Sequence, residues 1–172
     1  NMPSVRDLMV VNRRVVAEDG TSATYDRLLL ATGSQPFILP VPGKDLEGVV
    51  AYRDIADTQA MIDAAAKYRH AVVIGGGLLG LEAANGLMLR GMQVTVVHLA
   101  PTLMERQLDA TAGALLAGEL ESRGIRVLTG ANTKAILGES RVEGVLLEDG
   151  TELAAGLVVM AVGIRPNTAL AK

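Results

Sequence analysis

The sequence predicts an α/β fold: an open parallel sheet in which one crossover is made by an antiparallel β-meander. Three observations lead to it. A short apolar run, His70–Ile74, feeds a glycine-rich turn at residues 75–80 and then a helix-compatible stretch that Gly91 stops. Two further apolar runs, Gln93–Val97 and residues 125–128, alternate with apolar positions at helical spacing. Beyond Leu128 the pattern changes to short segments parted by turn residues, and one last apolar run follows at residues 157–162. The order β-α-β-α-β, meander, β fits a Rossmann-like open sheet.

Composition bounds the rest. The chain has 172 residues, 49% of them hydrophobic, so it can bury a full core. Aromatics are only 2%, which leaves that core to Val, Leu, Ile, Ala and Met and removes the platforms that single-stranded nucleic acid stacks on. Lys plus Arg is 16 and Asp plus Glu 19, a net charge of −3 with no basic run. Neither nucleic acid nor an anionic membrane finds an electrostatic partner here. Apolar stretches at residues 71–81 and 153–164 are broken by glycine and too short to span a bilayer. No signal-peptide pattern opens the chain and cysteine is absent, so a cytoplasmic location is the expectation.

The elements follow in order. Residues 15–17, the turn Asp19-Gly20 and residues 21–25 form a hairpin. Residues 27–31 are an apolar run ending at Thr32-Gly33, which reads as a fully buried strand with a sharp turn at its tip. Three prolines and a glycine make residues 36–43 a loop. Asp54 is the N-cap of a helix reaching Tyr68, with Asp57 adding negative charge to its first turn. A strand, the glycine-rich turn, a helix over residues 78–90 and a second strand then make one βαβ unit. After a loop at residues 99–106, Leu108, Ala112, Leu115, Leu116 and Leu120 mark a helix that Gly124 ends. The meander uses Thr133–Leu137, residues 141–148 and residues 151–153, with the turn Asp149-Gly150. Met88, Met92, Met104 and Met160 are core or loop packing.

The chemistry lies in Gly75-Gly76-Gly77-Leu78-Leu79-Gly80, which has the spacing G-x-G-x-x-G. Gly75 permits the tight turn out of the strand. Gly77 lets backbone approach a pyrophosphate, and Gly80 lets the helix pack closely on the strand. The free N–H groups and the dipole of the helix start face the phosphates. An acidic residue at the end of the second strand usually binds the adenosine ribose. His98 stands there, 23 residues after Gly75. A neutral imidazole accepts one hydrogen bond, a protonated one favours a 2′-phosphate, and a strand-end histidine simply facing water is the equal alternative. Arg106 is within reach of a 2′-phosphate but is more simply a solvated surface residue. NADH is favoured over NADPH because no basic cluster follows the strand. Glu82 on the first turns of the helix suits the dipole by itself. Two histidines far apart in sequence make no metal site, and no nucleophile–base arrangement is legible, so any reaction belongs to cofactors.

Three segments resemble the FAD-dependent pyridine-nucleotide reductases of the glutathione reductase and ferredoxin reductase type. They are residues 25–34, with the Thr32-Gly33 turn; residues 72–84, with the glycine fingerprint and Glu82; and residues 157–167, with Gly163. Residues 31–43 and 100–109 are similar in finer detail to the large subunits of assimilatory NAD(P)H-nitrite reductases. The resemblance implies electron flow from NAD(P)H to FAD, and through iron–sulfur centres and sirohaem outside this chain to nitrite, giving ammonia. It implies that Gly75, Gly77 and Gly80 hold the pyrophosphate. Leu78 belongs to the same cofactor-binding set, Leu79 and Glu82 lie toward the nicotinamide, His98 near the ribose, Gly163 beside the nucleotide, and Thr32 and Gly33 against FAD. Gly156 departs from the family, which has an aspartate before its last strand.

On the same basis residues 1–50 are expected to be a partial FAD-binding segment, residues 51–164 the NAD(P)-binding domain, and residues 165–172 the return toward the FAD domain. The chain is then a fragment, inactive alone, whose partners are the dinucleotide and the remaining FAD and redox domains; a homodimer stays open. NADH oxidase, ferredoxin or rubredoxin reductase and coenzyme A disulfide reductase are the neighbouring alternatives. A non-catalytic NADH-sensing module is the alternative of another class, and it has no use for an FAD-facing turn.

Overall fold

The computed structural model describes residues 5–9 and 12–171. They form two compact units, one made of the residues up to Gln35 with those from Ile164 onward, the other Pro36–Gly163.

The larger unit is built on a five-stranded, all-parallel sheet. Its strands are β5 (Val49–Ala51), β6 (His70–Ile74), β7 (Gln93–Val97), β8 (Arg126–Leu128) and β12 (Leu157–Met160), in the order β5-β12-β6-β7-β8. Three helices join them: α1 (Ile55–Ala65), α2 (Leu78–Leu89) and α3 (Ala110–Ser122). The connection from β8 to β12 is the antiparallel meander β9 (Thr133–Leu137), β10 (Gly144–Leu147) and β11 (Glu152–Ala154). The fold class read from the sequence is the one observed, with β5 added at an edge.

Strand alternation divides the core into two. Ala71, Val73, Val94, Val96, Leu157 and Val159 point to one face, where they meet Met61, Leu81, Ala84, Leu87 and Leu120 of the helices. Val72, Ile74, Val97, Val158 and Met160 point to the other and meet Ile136, Val145, Leu147 and Leu153 of the meander. Because both faces are covered, these strands read in sequence as unbroken apolar runs rather than as alternation. Asp54 caps α1, accepting from the Asp57 N–H at 2.9 Å, while the Asp57 carboxylate accepts from the Asp54 N–H, which closes a capping box. Met92 and Met160 are buried, and Met88 and Met104 pack against the helix-side core.

The smaller unit contains a three-stranded antiparallel sheet, β1 (Val5–Met9), β2 (Arg14–Ala17) and β3 (Ser22–Thr24). The turn between β2 and β3 is the expected Asp19-Gly20. There Thr21 N–H donates to the Asp19 carboxylate at 2.9 Å and holds that carboxyl below its ordinary range. Asp149 repeats the device with Thr151 between β10 and β11. β4 (Ser34–Pro36) pairs with β13 (Ile164–Pro166), and a short 3-10 helix follows at Ala169–Ala171. One expectation fails here. Residues 27–31 form no strand and are exposed, Leu29 to 87%. An apolar run becomes a buried strand only where neighbours take its hydrogen bonds and cover its side chains, and none among the described residues pairs with it.

The departure at Gly156 has a packing cause. A Cβ there would stand 2.6 Å from the Tyr68 Cβ and Cγ. Arg141 stacks over the Tyr68 ring, 4.0 Å from its centroid, and donates to the Gly156 carbonyl at 3.1 Å. The side chain that an aspartate would place here is replaced by a tyrosine ring and the guanidinium above it. Gly156→Ala should therefore lower unfolding free energy by about 1–3 kcal/mol, the cost of overpacking a filled site. Urea denaturation measures it, and an unchanged midpoint would remove this account of Gly156.

Candidate functional site

The site lies at the C-terminal edge of the parallel sheet, where an open α/β sheet places its ligands. The three motif glycines behave differently there. Gly75 leaves β6 at φ +118°, a left-handed conformation that side chains rarely adopt, and a Cβ on it would stand 2.3 Å from the Ala161 carbonyl oxygen. A Cβ on Gly80 would stand 1.9 Å from the Gly75 carbonyl oxygen. Both are therefore required by the fold. Gly77 is not: its φ is −88° and a Cβ on it would meet nothing within 4 Å.

The three helices also start differently. The carboxylates of Asp54 and Asp109 cap α1 and α3, whereas Gly77 caps α2 with no side chain and no acid stands in its first turn. The N–H groups at the start of α2 thus keep their donors for an outside acceptor. Leu78 and Leu79 are exposed on that first turn, 60% and 42%, and Glu82 is exposed one turn further. Gly163 is exposed at φ +113° with open space at its Cβ position. It lies two residues past Ala161, whose N–H donates to the Ile74 carbonyl at 2.8 Å. The edge thus brings together Gly75, Gly77, Leu78, Leu79, Gly80, Glu82, His98 and the Gly163 turn.

His98 follows β7 and both its ring nitrogens are engaged. Nδ1 accepts from the Gly76 N–H at 3.0 Å. A backbone N–H needs a lone pair, so the ring proton is on Nε2. Nε2 then donates to Glu105 Oε2 at 2.9 Å. That bond holds the Glu105 carboxyl below its ordinary range, with smaller help from its own backbone and from the charge of Arg106. The loop between them is tied to the same turn: Met104 N–H donates to the Gly76 carbonyl at 3.0 Å, and Leu103 is fully buried. A Cβ on Gly76 would stand 2.6 Å from Leu103 Cδ2 and 2.8 Å from His98 Cγ.

Sequence reading did not find Gly76 or Glu105. The spacing pattern treats the second glycine as a free position, yet a third glycine in a row was the available signal that something packs against it. Glu105 lies in an irregular loop, where no periodicity reveals which way a side chain turns.

Thr32 and Gly33 belong to the smaller unit. Asn167 donates its backbone N–H to the Gly33 carbonyl and its side-chain amide to the Thr32 carbonyl, both at 2.9 Å, and accepts from the Thr32 hydroxyl. Beside this turn is a cavity of about 320 Å³ lined by Leu30, Thr32, Gly33, Asn167 and Leu170. Among the described residues no cluster of His, Cys, Asp or Glu is arranged to hold a metal, and no helix is long and apolar enough to cross a membrane.

The chain is similar to known proteins over nearly its whole length. The chain is 59% identical over 159 residues to a protein called nitrite reductase [NAD(P)H] from Bacillus subtilis (strain 168), covering 92% of this chain and 20% of that protein. It is 40% identical over 167 residues to an NADH oxidase of Methanocaldococcus jannaschii, covering 92% of this chain and 36% of that one. The structure of a ferredoxin reductase for the CYP199A2 system from Rhodopseudomonas palustris superposes with a TM-score of 0.93 at 32% identity, over 99% of this chain and 43% of that one. The chain spans 14–20% of the length of the nitrite reductases it matches. The family described as pyridine nucleotide-disulphide oxidoreductase matches residues 5–172. By fold and by sequence, this chain belongs to the pyridine nucleotide-disulphide oxidoreductase family.

Proposed function

We propose that this chain carries the NAD(P)H-binding unit of a flavoprotein reductase, in a parent protein that reduces nitrite to ammonia. The observation that carries the nucleotide reading is Gly77. Fold alone accounts for Gly75 and Gly80, but nothing in the fold excludes a side chain at 77. What a side chain there would exclude is a phosphate resting on the uncapped start of α2. The residues fit such a group: open space at Gly77, free N–H donors behind it, and no carboxylate in the first helical turn.

In this reading Gly75, Gly77 and Gly80 hold the pyrophosphate. Leu78, Leu79 and Gly163 offer apolar and backbone surface toward the nicotinamide, with Glu82 at its border. The His98 corner faces the adenosine ribose, and Thr32 and Gly33 meet FAD. Held by these residues, NAD(P)H would supply a hydride for a flavin of the parent protein. The exposed leucines on α2 exclude water from one side of the ring that they cover. A nitrite-reducing parent is supported by 59% identity to the Bacillus subtilis protein, against 40% to the NADH oxidase. The division into an FAD-side segment over residues 1–50, a nucleotide domain over 51–164 and a return at 165–172 belongs to the same proposal. So do the redox domains of the parent as partners.

Two measurements test it. Calorimetric titration of this chain with NADH and with FAD should give one NADH site and no tight FAD site, because the glycine fingerprint at Gly75–Gly80 is present and no second such fingerprint precedes it in the sequence. Stoichiometric FAD in the purified chain would contradict that, and no heat with NADH or NADPH would contradict the nucleotide site. Gly77→Val should abolish NADH binding while unfolding free energy stays within about 1 kcal/mol of the parent chain. Gly80→Ala, by contrast, should also cost stability, by about 2–3 kcal/mol, since its Cβ has no space. Undiminished NADH affinity in folded Gly77→Val would remove the phosphate cradle.

A further inference from the structure

The second strand of this site ends on a histidine where a ribose-binding acid is expected, yet an acid is present. Glu105 Oε2 takes the Nε2 proton of His98 at 2.9 Å, and His98 Nδ1 takes the Gly76 N–H at 3.0 Å. With both nitrogens occupied and its side chain only 12% exposed, His98 has no lone pair left to offer a sugar. Glu105 does. Its side chain is 40% exposed, and a carboxylate has about four acceptor directions, of which His98 uses one.

Its position is fixed from two sides. The backbone one residue earlier is bonded to Gly76 through the Met104 N–H, over the fully buried Leu103. The carboxylate itself is held by a ring that fills the space above Gly76, 2.8 Å from where a Cβ would be. A carboxylate so placed lies one imidazole away from the glycine turn, on the strand-end side of it. We infer that Glu105 is the ribose-recognising carboxylate of this site and sets its preference for NADH over NADPH, with His98 as the residue that positions it. The inference rests on the dinucleotide reading above.

The chemistry is direct. An ionised Glu105 accepts from the 2′- and 3′-hydroxyls of an adenosine ribose and repels a 2′-phosphate. Beside the carboxylate stand the His98 ring, whose Nε2–H donates to it, and the charged Arg106, which follows Glu105 in the chain. Removing the Glu105 charge leaves Arg106 as the full charge beside the ribose, so the balance tips toward a phosphate.

The test uses this chain and two dissociation constants, for NADH and NADPH, by calorimetry. The unaltered chain should bind NADH the more tightly. Glu105→Gln should reduce the ratio of the two constants by roughly tenfold, the size of one charge-assisted hydrogen bond. His98→Leu should reduce the ratio by a similar factor, and the double variant no further, since both changes remove one arrangement. Circular dichroism establishes that each variant is folded; if His98→Leu is not, Glu105→Gln decides alone. An unchanged ratio in folded Glu105→Gln, with NADH still bound and still lost in Gly77→Val, would overturn the role of Glu105 and leave the nucleotide site standing. Failure of the unaltered chain to bind either nucleotide would overturn the nucleotide reading and this inference with it.

Discussion

The site depends on one close approach between backbones. α2 starts so near the end of β6 that its third residue, Gly80, lies against the Gly75 carbonyl, where a Cβ would stand 1.9 Å from the oxygen. Gly75 in turn lies against the Ala161 carbonyl at the end of β12, with 2.3 Å to its own absent Cβ. Two strand ends and one helix start are thus packed main chain on main chain. That contact aims the uncapped N–H groups of α2 over the sheet edge, and it leaves Gly77 pointing into open space. A side chain at either contact would push the helix away and take the donors with it.

The two faces of the sheet divide the work around this edge. The helix face is packed by Leu81, Ala84 and Leu87 of α2, so the helix with the uncapped start is also anchored through the larger core cluster. The meander face needs no helix start, because its strands only have to cover Val72, Ile74, Val158 and Met160. A hairpin with the Asp149-Gly150 turn covers them as well as a helix does. The price of that economy appears at Gly156, where the chain re-enters the sheet beneath Tyr68 and Arg141 and has no space for a Cβ.

Much of this was legible in the sequence, and the reason is physical. His70–Ile74, Gln93–Val97 and Thr133–Leu137 are bounded by glycine or by charge, and each is long enough for its hydrophobic pattern to repeat. Val49–Ala51 escaped notice because three residues at a sheet edge carry no period; only pairing with β12 makes them a strand. Residues 27–31 misled for the opposite reason. Their pattern is that of a buried strand, but pattern records only what a segment would bury, and burial needs a neighbour. The glycine fingerprint was readable because its spacing is dictated by local geometry. Glu105 was not, because its meeting with His98 is made by an irregular loop in which Met104 takes φ +51°, a conformation that nothing in its side chain foretells.

That loop also explains why the turn contains three consecutive glycines when dinucleotide binding asks for only two of them there. The middle one, Gly76, has a packing reason of its own: its missing Cβ is the space into which the His98 ring and the Leu103 side chain fit. Once the ring is there, its Nδ1 can take the Gly76 N–H, and the tautomer is settled. With the tautomer settled, Nε2 must donate, and the group that accepts is Glu105. A strand-end aspartate or glutamate would reach a sugar directly and leave the second position of the turn free to vary. A histidine in that place requires a glycine beside it and an acid beyond it. Gly76, His98 and Glu105 are therefore one device, in which the fold holds a carboxylate at the sheet edge from a residue eight positions past the strand.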